Sequence, residues 1–165
     1  MTNITKTHTE ALSSAPQSIV RSYAGGMEIV TLNLNIQRRP DTRQADAPTM
    51  DGETAEAYEC TNLSVSHSGS HITANDVVKI IVQQGLFASI DTDFLKCLVT
   101  TYNIPDYDAL VAVLVSGRYT YADELATHRK ALLGDEQPLA ELNAYVDQCK
   151  QLAAACFSEL NITEA

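Results

Sequence analysis

His67-Ser-Gly-Ser-His71 places two imidazoles four residues apart around a glycine, with the thiol of Cys60 seven residues upstream. Imidazole and thiolate are the ligands that structural zinc takes, in sets of four. Only three such groups fall near one another in this stretch, and no pair of cysteines has the C-x-x-C spacing of a zinc module. Spacing therefore reads the segment as a solvent-facing turn with two histidines, and no metal or cofactor is expected. Cys97, Cys149 and Cys156 lie far from the pair, and the last two, seven residues apart in a helical pattern, read as small core residues.

The carboxylates are the next candidates for chemistry. Asp91 and Asp93, Asp106 and Asp108, and Asp123 and Glu124 form three close acidic pairs. Each pair stands where a helical pattern begins, and a carboxylate there interacts favourably with the helix dipole. Capping accounts for all three without a general acid–base role, which would need a pocket that shifts one pKa away from the other. His128, between Leu125 and Leu132 on one helical face, reads as a packed or surface-edge histidine. No phosphate loop, dinucleotide fingerprint or nucleophile elbow occurs, so no catalytic residue is assigned and the chain reads as a non-enzyme.

Charge narrows the partners. The net charge of −10 falls wholly on residues 53–165, where six Lys/Arg face sixteen Asp/Glu; residues 1–52 carry five of each. An acidic body repels a phosphate backbone, so nucleic acid is not an expected ligand. No apolar run approaches the length of a membrane span, and the first residues lack the apolar stretch of a secretory signal.

The elements that would position these groups differ along the chain. Residues 1–26, rich in Thr, Ser and Ala and closing on Gly25-Gly26, read as an extended arm. In MEIVTLNLNIQRR, Val30, Leu32, Leu34 and Ile36 alternate with polar residues, the period-two pattern of a strand. Arg38–Glu53 reads as a long loop, and AYECTNLSVSH as a second strand whose apolar spacing slips between Cys60 and Leu63, a sign of a bulge. Two strands do not make a stable sheet alone. They are expected to pair with each other or with a partner chain, which makes Ile29, Val30, Leu32, Leu34, Ile36, Arg38 and Arg39 the candidate assembly interface.

From residue 71 the pattern is helical. DVVKIIVQQGLF, from Asp76, recurs 32 positions later as DALVAVLVSGRY, from Asp108. Each copy is an apolar helix, a Gly stop (Gly85, Gly117) and an aromatic (Phe87, Tyr119), followed by a more polar helix, giving a pseudo-repeat over 76–102 and 108–133. A helix apolar nearly all round must be buried on several sides. A DNA-reading helix would need Arg, Asn or Gln aimed at bases, and only Arg129 and Lys130 qualify among acids. A last helix over 138–160 carries a seam of Leu139, Leu142, Val146, Cys149, Ala153, Cys156 and Leu160 at alternating spacings of three and four. Its small residues suit packing within the chain better than an oligomer seam. The fold class expected is mainly α: a compact bundle of about five helices with a two-copy helix-turn-helix pseudo-repeat. Three segments result, an arm over 1–26, a strand and loop segment over 27–70, and an acidic helical domain over 71–165.

Arg118-Tyr119-Thr120, Asp123-Glu124-Leu125-Ala126 and Tyr145-Val146-Asp147-Gln148-Cys149-Lys150 follow one another in that helical region. In this, residues 57–156 resemble small helical proteins encoded by phages and prophages of gut Bacteroidales, departing from their more aliphatic pattern at Thr127-His128-Arg129. The resemblance implies a virion structural protein, assembled in the bacterial cytoplasm and attached through its arm and first strand to other virion proteins or to itself. A tail-fibre assembly chaperone and an acidic protein-binding regulator are the other roles it leaves open. It transfers no catalytic residue.

Overall fold

A computed structural model describes residues 2–40, 56–69 and 71–163. The chain divides into two units, Met1–His71 and Ile72–Ala165.

The first unit is a four-stranded antiparallel sheet of β1 (Thr2–Leu12), β2 (Ile19–Ala24), β3 (Met27–Pro40) and β4 (Glu56–Ser68), in the order β1-β4-β3-β2. With 29% of the described residues in strands and 50% in helices, the chain is not the mainly α protein that its sequence pattern suggested, and the residues expected as an arm hold two strands. They supply both edge strands. Gly25 and Gly26, read as a break, form the β2–β3 turn with φ of +58° and +76°. Positive φ at both central residues is what a tight hairpin requires and what glycine adopts without strain. The expected loop over Arg38–Glu53 lies mostly in residues 41–55, outside the described residues.

Register sorts the side chains. Val30 pairs with Val65 and Leu32 with Leu63, and with Ile19 and Leu34 they form one buried apolar face. The opposite face is polar, with Thr5, Ser64 and Thr31 in one row and Thr7, Asn62 and Asn33 in the next. The slip suspected near Cys60 has its cause in the neighbouring strands. β3 inserts a residue between Leu34 and Gln37, β1 does so between Thr9 and Leu12, and both insertions fall opposite Glu59–Cys60. Asn35 takes φ +54° at the β3 bulge, a conformation that Asn tolerates better than most residues. The extra residue throws Ile36 off the Val30–Leu32–Leu34 stripe and leaves it half-buried.

The second unit holds α1 (Ala74–Gln83), a 3-10 turn (Phe87–Ser89), α2 (Thr92–Tyr102), α3 (Tyr107–Ser116), α4 (Tyr121–Leu132) and α5 (Gln137–Thr163). The helix starts are where the polar residues place them. Thr73 with Asp76 and Thr120 with Asp123 close reciprocal capping boxes, while Asp91 and Asp106 accept from the backbone N–H of Phe94 and Ala109. Hydrogen bonds from Thr120 hold the Asp123 carboxyl below its ordinary pKa. α5 packs against α2, α3 and α4, and α1 packs against α3.

The two copies of the repeat are not equivalent. α1 buries Val77, Val78, Ile80 and Ile81, whereas α3 buries only Leu110 and Leu114 and leaves Ala112 exposed. Their glycines also serve different ends. Gly85 stops α1 at φ +70°, but Gly117 keeps right-handed helical geometry at the end of α3. A Cβ on Gly117 would sit 2.5 Å from Cγ1 of Val78 and 3.3 Å from its carbonyl carbon, so what it permits is close approach of α3 to α1. Gly117→Ala is therefore expected to destabilise the chain by about 1–3 kcal/mol through overpacking. The accompanying variant G117A/V78A should recover part of that loss in urea unfolding.

Candidate assembly surface

Glu28 is the most deeply buried charged side chain of the sheet unit, with 3% of its surface exposed. Pairing across the hairpin explains why it is tolerated there. Tyr23 lies directly opposite on β2, and Arg21 is two residues before it on the same face. Arg21 donates to Glu28 Oε1 through Nε at 2.8 Å and also through an Nη atom, and the Tyr23 hydroxyl donates to the same oxygen at 3.1 Å. His71 Nδ1 lies 3.5 Å from Oε2, and its ring meets Tyr23 edge-on. Tyr23, Glu28 and His71, with Gly26, His67 and Gly69, line a shallow cleft of about 340 Å³.

The cleft does not assemble the three groups that sequence placed near one another. His67 faces the same side of the sheet as Glu28 and contacts Thr2 Oγ1 through Nδ1 at 2.7 Å. Cys60 lies on the opposite face beside Asn33, with its sulfur 3.7 Å from Oδ1. Among the described residues, no group of three or more His, Cys, Asp or Glu is placed to hold a metal ion. The cluster satisfies a buried carboxylate and fixes the β2–β3 hairpin.

The residues expected to form an assembly interface are dispersed by the fold. Val30, Leu32 and Leu34 are buried within the chain, and Ile29 and Ile36 are half-buried. Arg38 and Arg39 are exposed, Arg39 pairing with Glu59 at 2.7 Å. β3 is also an inner strand, flanked by β2 over Met27–Leu32 and by β4 along most of its length. The longer of the two sheet edges is that of β1: eleven residues with no Pro or Gly, and no strand beyond it among the described residues. Asn3, Thr5, Lys6, Thr7, His8 and Glu10 are exposed along it.

No known protein family, curated protein or solved structure matches this chain. What the surface does must be derived from the surface itself. Among the described residues, no helix is long and apolar enough to cross a membrane.

In the helical unit the seam residues Leu142, Cys149, Ala153 and Cys156 are buried, and Leu139, Val146 and Leu160 are half-buried. The residue that organises them is Tyr145, one position off the seam. Its ring lies 4.9 Å from Phe87 and 5.6 Å from Tyr119, so the terminal aromatics of both repeat copies converge on it. Its hydroxyl donates to the Leu114 carbonyl at 3.0 Å, and the Arg118 guanidinium stands 5.2 Å from the ring centre. Burial, reinforced by Cys149, pushes the phenol pKa upward. A second surface lies between α4 and α5, where His128, Leu132, Glu136, Leu139 and Asn143 line an open groove of about 470 Å³. Leu132 and Leu133 beside it are 86% and 89% exposed.

All four cysteines are free thiols. Burial raises the pKa of Cys60 and Cys156, and pushes Cys149 from 9.0 to about 11. A thiol held neutral in the folded chain stabilises it below its ordinary pKa. That contribution is lost as the unfolded chain begins to ionise, so stability should fall between pH 9.0 and about 11. At pH 8, iodoacetamide is expected to modify half-exposed Cys97 first and the three buried cysteines only after denaturant is added, as counted by intact mass.

Proposed function

We propose that this chain is a non-enzymatic structural or assembly protein of a phage virion, joined to its neighbours through the edge of β1. The observation that carries the reading is the length of the β1 edge, eleven residues with no strand beyond it among the described residues. A partner segment added there would satisfy the outward N–H and C=O groups of Thr2–Leu12 by strand augmentation. β1 is neither short nor interrupted by proline; Lys6, Glu10 and the bulge after Thr9 restrict it to a complementary partner. The phage assignment itself draws on the likeness of residues 57–156 to phage-encoded proteins, and the acidic charge of residues 53–165 favours protein partners over nucleic acid.

Mass spectrometry of gradient-purified particles tests the proposal. A stoichiometric peptide signal in mature particles supports a structural component. A signal confined to assembly intermediates supports a chaperone of assembly. Absence from both, in cells that express the chain, overturns the reading.

A further inference from the structure

We infer that β1 pairs with β1 of a second copy, in an antiparallel register centred on His8, joining two four-stranded sheets into one of eight. This rests on the reading of β1 as the attachment edge and names what first occupies it.

Register is decided by self-complementarity. In a continuous sheet built about a twofold axis, the same residue of each copy meets on the axis, and partners are equally spaced on either side. With His8 on the axis, Lys6 of each copy stands opposite Glu10 of the other and Thr7 opposite Thr9, both pairs falling short of Leu12, which the register shift carries to the other face. Opposite charges and hydroxyls each meet a complementary partner, twice. With the axis at Lys6, two ammonium groups stand face to face; with the axis at Thr7, Ile4 meets Glu10. Directly opposed like charges destabilise the first, and the second sets a carboxylate against an apolar side chain with no ion pair, so both neighbouring registers are disfavoured.

The geometry of β1 supports the same register. Pairing with β4 is regular from Thr2 to Thr9, which places Lys6 and His8 on one face. The bulge follows, yet His8 Nε2 lies 3.6 Å from Glu10 Oε1, so Glu10 still shares that face. Lys6, His8 and Glu10 are all exposed and thus available to a second copy. Four strands carried by each copy also leave the outermost edges of the joined sheet at β2, which has six residues against the eleven of β1.

Sedimentation equilibrium of the full chain tests the pairing with Lys6→Glu, Glu10→Lys and the double reversal. The wild type is expected to dimerise. Each single reversal sets two like-charge pairs across the axis and should weaken the dimer by about tenfold or more, while the double reversal restores it. Because both side chains are exposed, thermal unfolding checks that the variants remain folded. As a second readout, His8→Cys should give a covalent dimer on mild oxidation, which Thr5→Cys and the wild type should not. A wild type that stays monomeric at the highest attainable concentration overturns the inference, as does a dimer insensitive to either reversal. If the monomeric wild type is nevertheless found in particles, self-pairing falls while attachment to another virion protein stands.

Discussion

Tyr145→Ala should unfold at a temperature about 10 °C below the wild type, the largest loss expected from any single residue of the helical unit. Truncating a buried aromatic costs about 3–5 kcal/mol, against a total stability of about 5–15 kcal/mol for a protein of ordinary size. Here the ring is the common neighbour of Phe87, Tyr119 and Arg118, so its removal leaves two further aromatics without their contact. Tyr145→Phe separates packing from hydrogen bonding. It keeps the ring and removes only the donor to the Leu114 carbonyl, which should cost about 1 kcal/mol. Urea denaturation of the two variants checks the ratio; equal losses would mean that the hydroxyl, and not the ring, carries the contact.

Glu28→Ala should be the corresponding lesion in the sheet unit. Breaking a fully buried ion pair costs about 3–5 kcal/mol, because the surviving charge is left without compensation. The Arg21 side chain is 29% exposed and can recover some hydration, which lowers the expectation to about 2–3 kcal/mol. Glu28→Gln retains an acceptor for Arg21 and Tyr23 and should lose less. A double-mutant cycle with Arg21→Met measures the coupling, expected to exceed about 1 kcal/mol for groups in one network. Additive losses would assign the destabilisation to packing of Glu28 alone.

The sequence pattern was legible where an element carries its own signal. Asp91, Asp106 and Asp123 announce helix starts because a side-chain oxygen must satisfy orphan backbone N–H groups, whatever lies elsewhere in the fold. The inner strands β3 and β4 show alternation because one face of each is buried. β1 gave no such sign. As an edge strand with both faces largely in solvent, it has no apolar stripe, and only the recurrence of β-branched Thr2, Thr5, Thr7 and Thr9 marked it as extended. β2 was hidden differently: the side that carries buried Ile19 also carries Arg21 and the largely exposed Tyr23, and both are held there by Glu28, a partner that sequence does not reveal. Reading residues 1–26 as an arm followed from both omissions, and it left β3 as the first strand on which a candidate interface could be placed.

The seam on α5 was legible as a spacing, but its centre was not. Tyr145 lies off the three-four repeat, and nothing local links it to Phe87, 58 positions earlier, or to Tyr119. The signal available was the pair of aromatics at matching places in the two copies, since equivalent positions in a repeat tend to face a shared neighbour.

That convergence has a consequence for the order in which the chain matures. Phe87 and Tyr119 emerge during synthesis before Tyr145 exists, so neither copy of the repeat can complete its packing while the chain is still being made. The helical unit closes only when its C-terminal portion has been delivered, and both copies are then locked in a single event. A chain interrupted before residue 145 thus presents two incomplete halves of the helical unit to the cell's quality control.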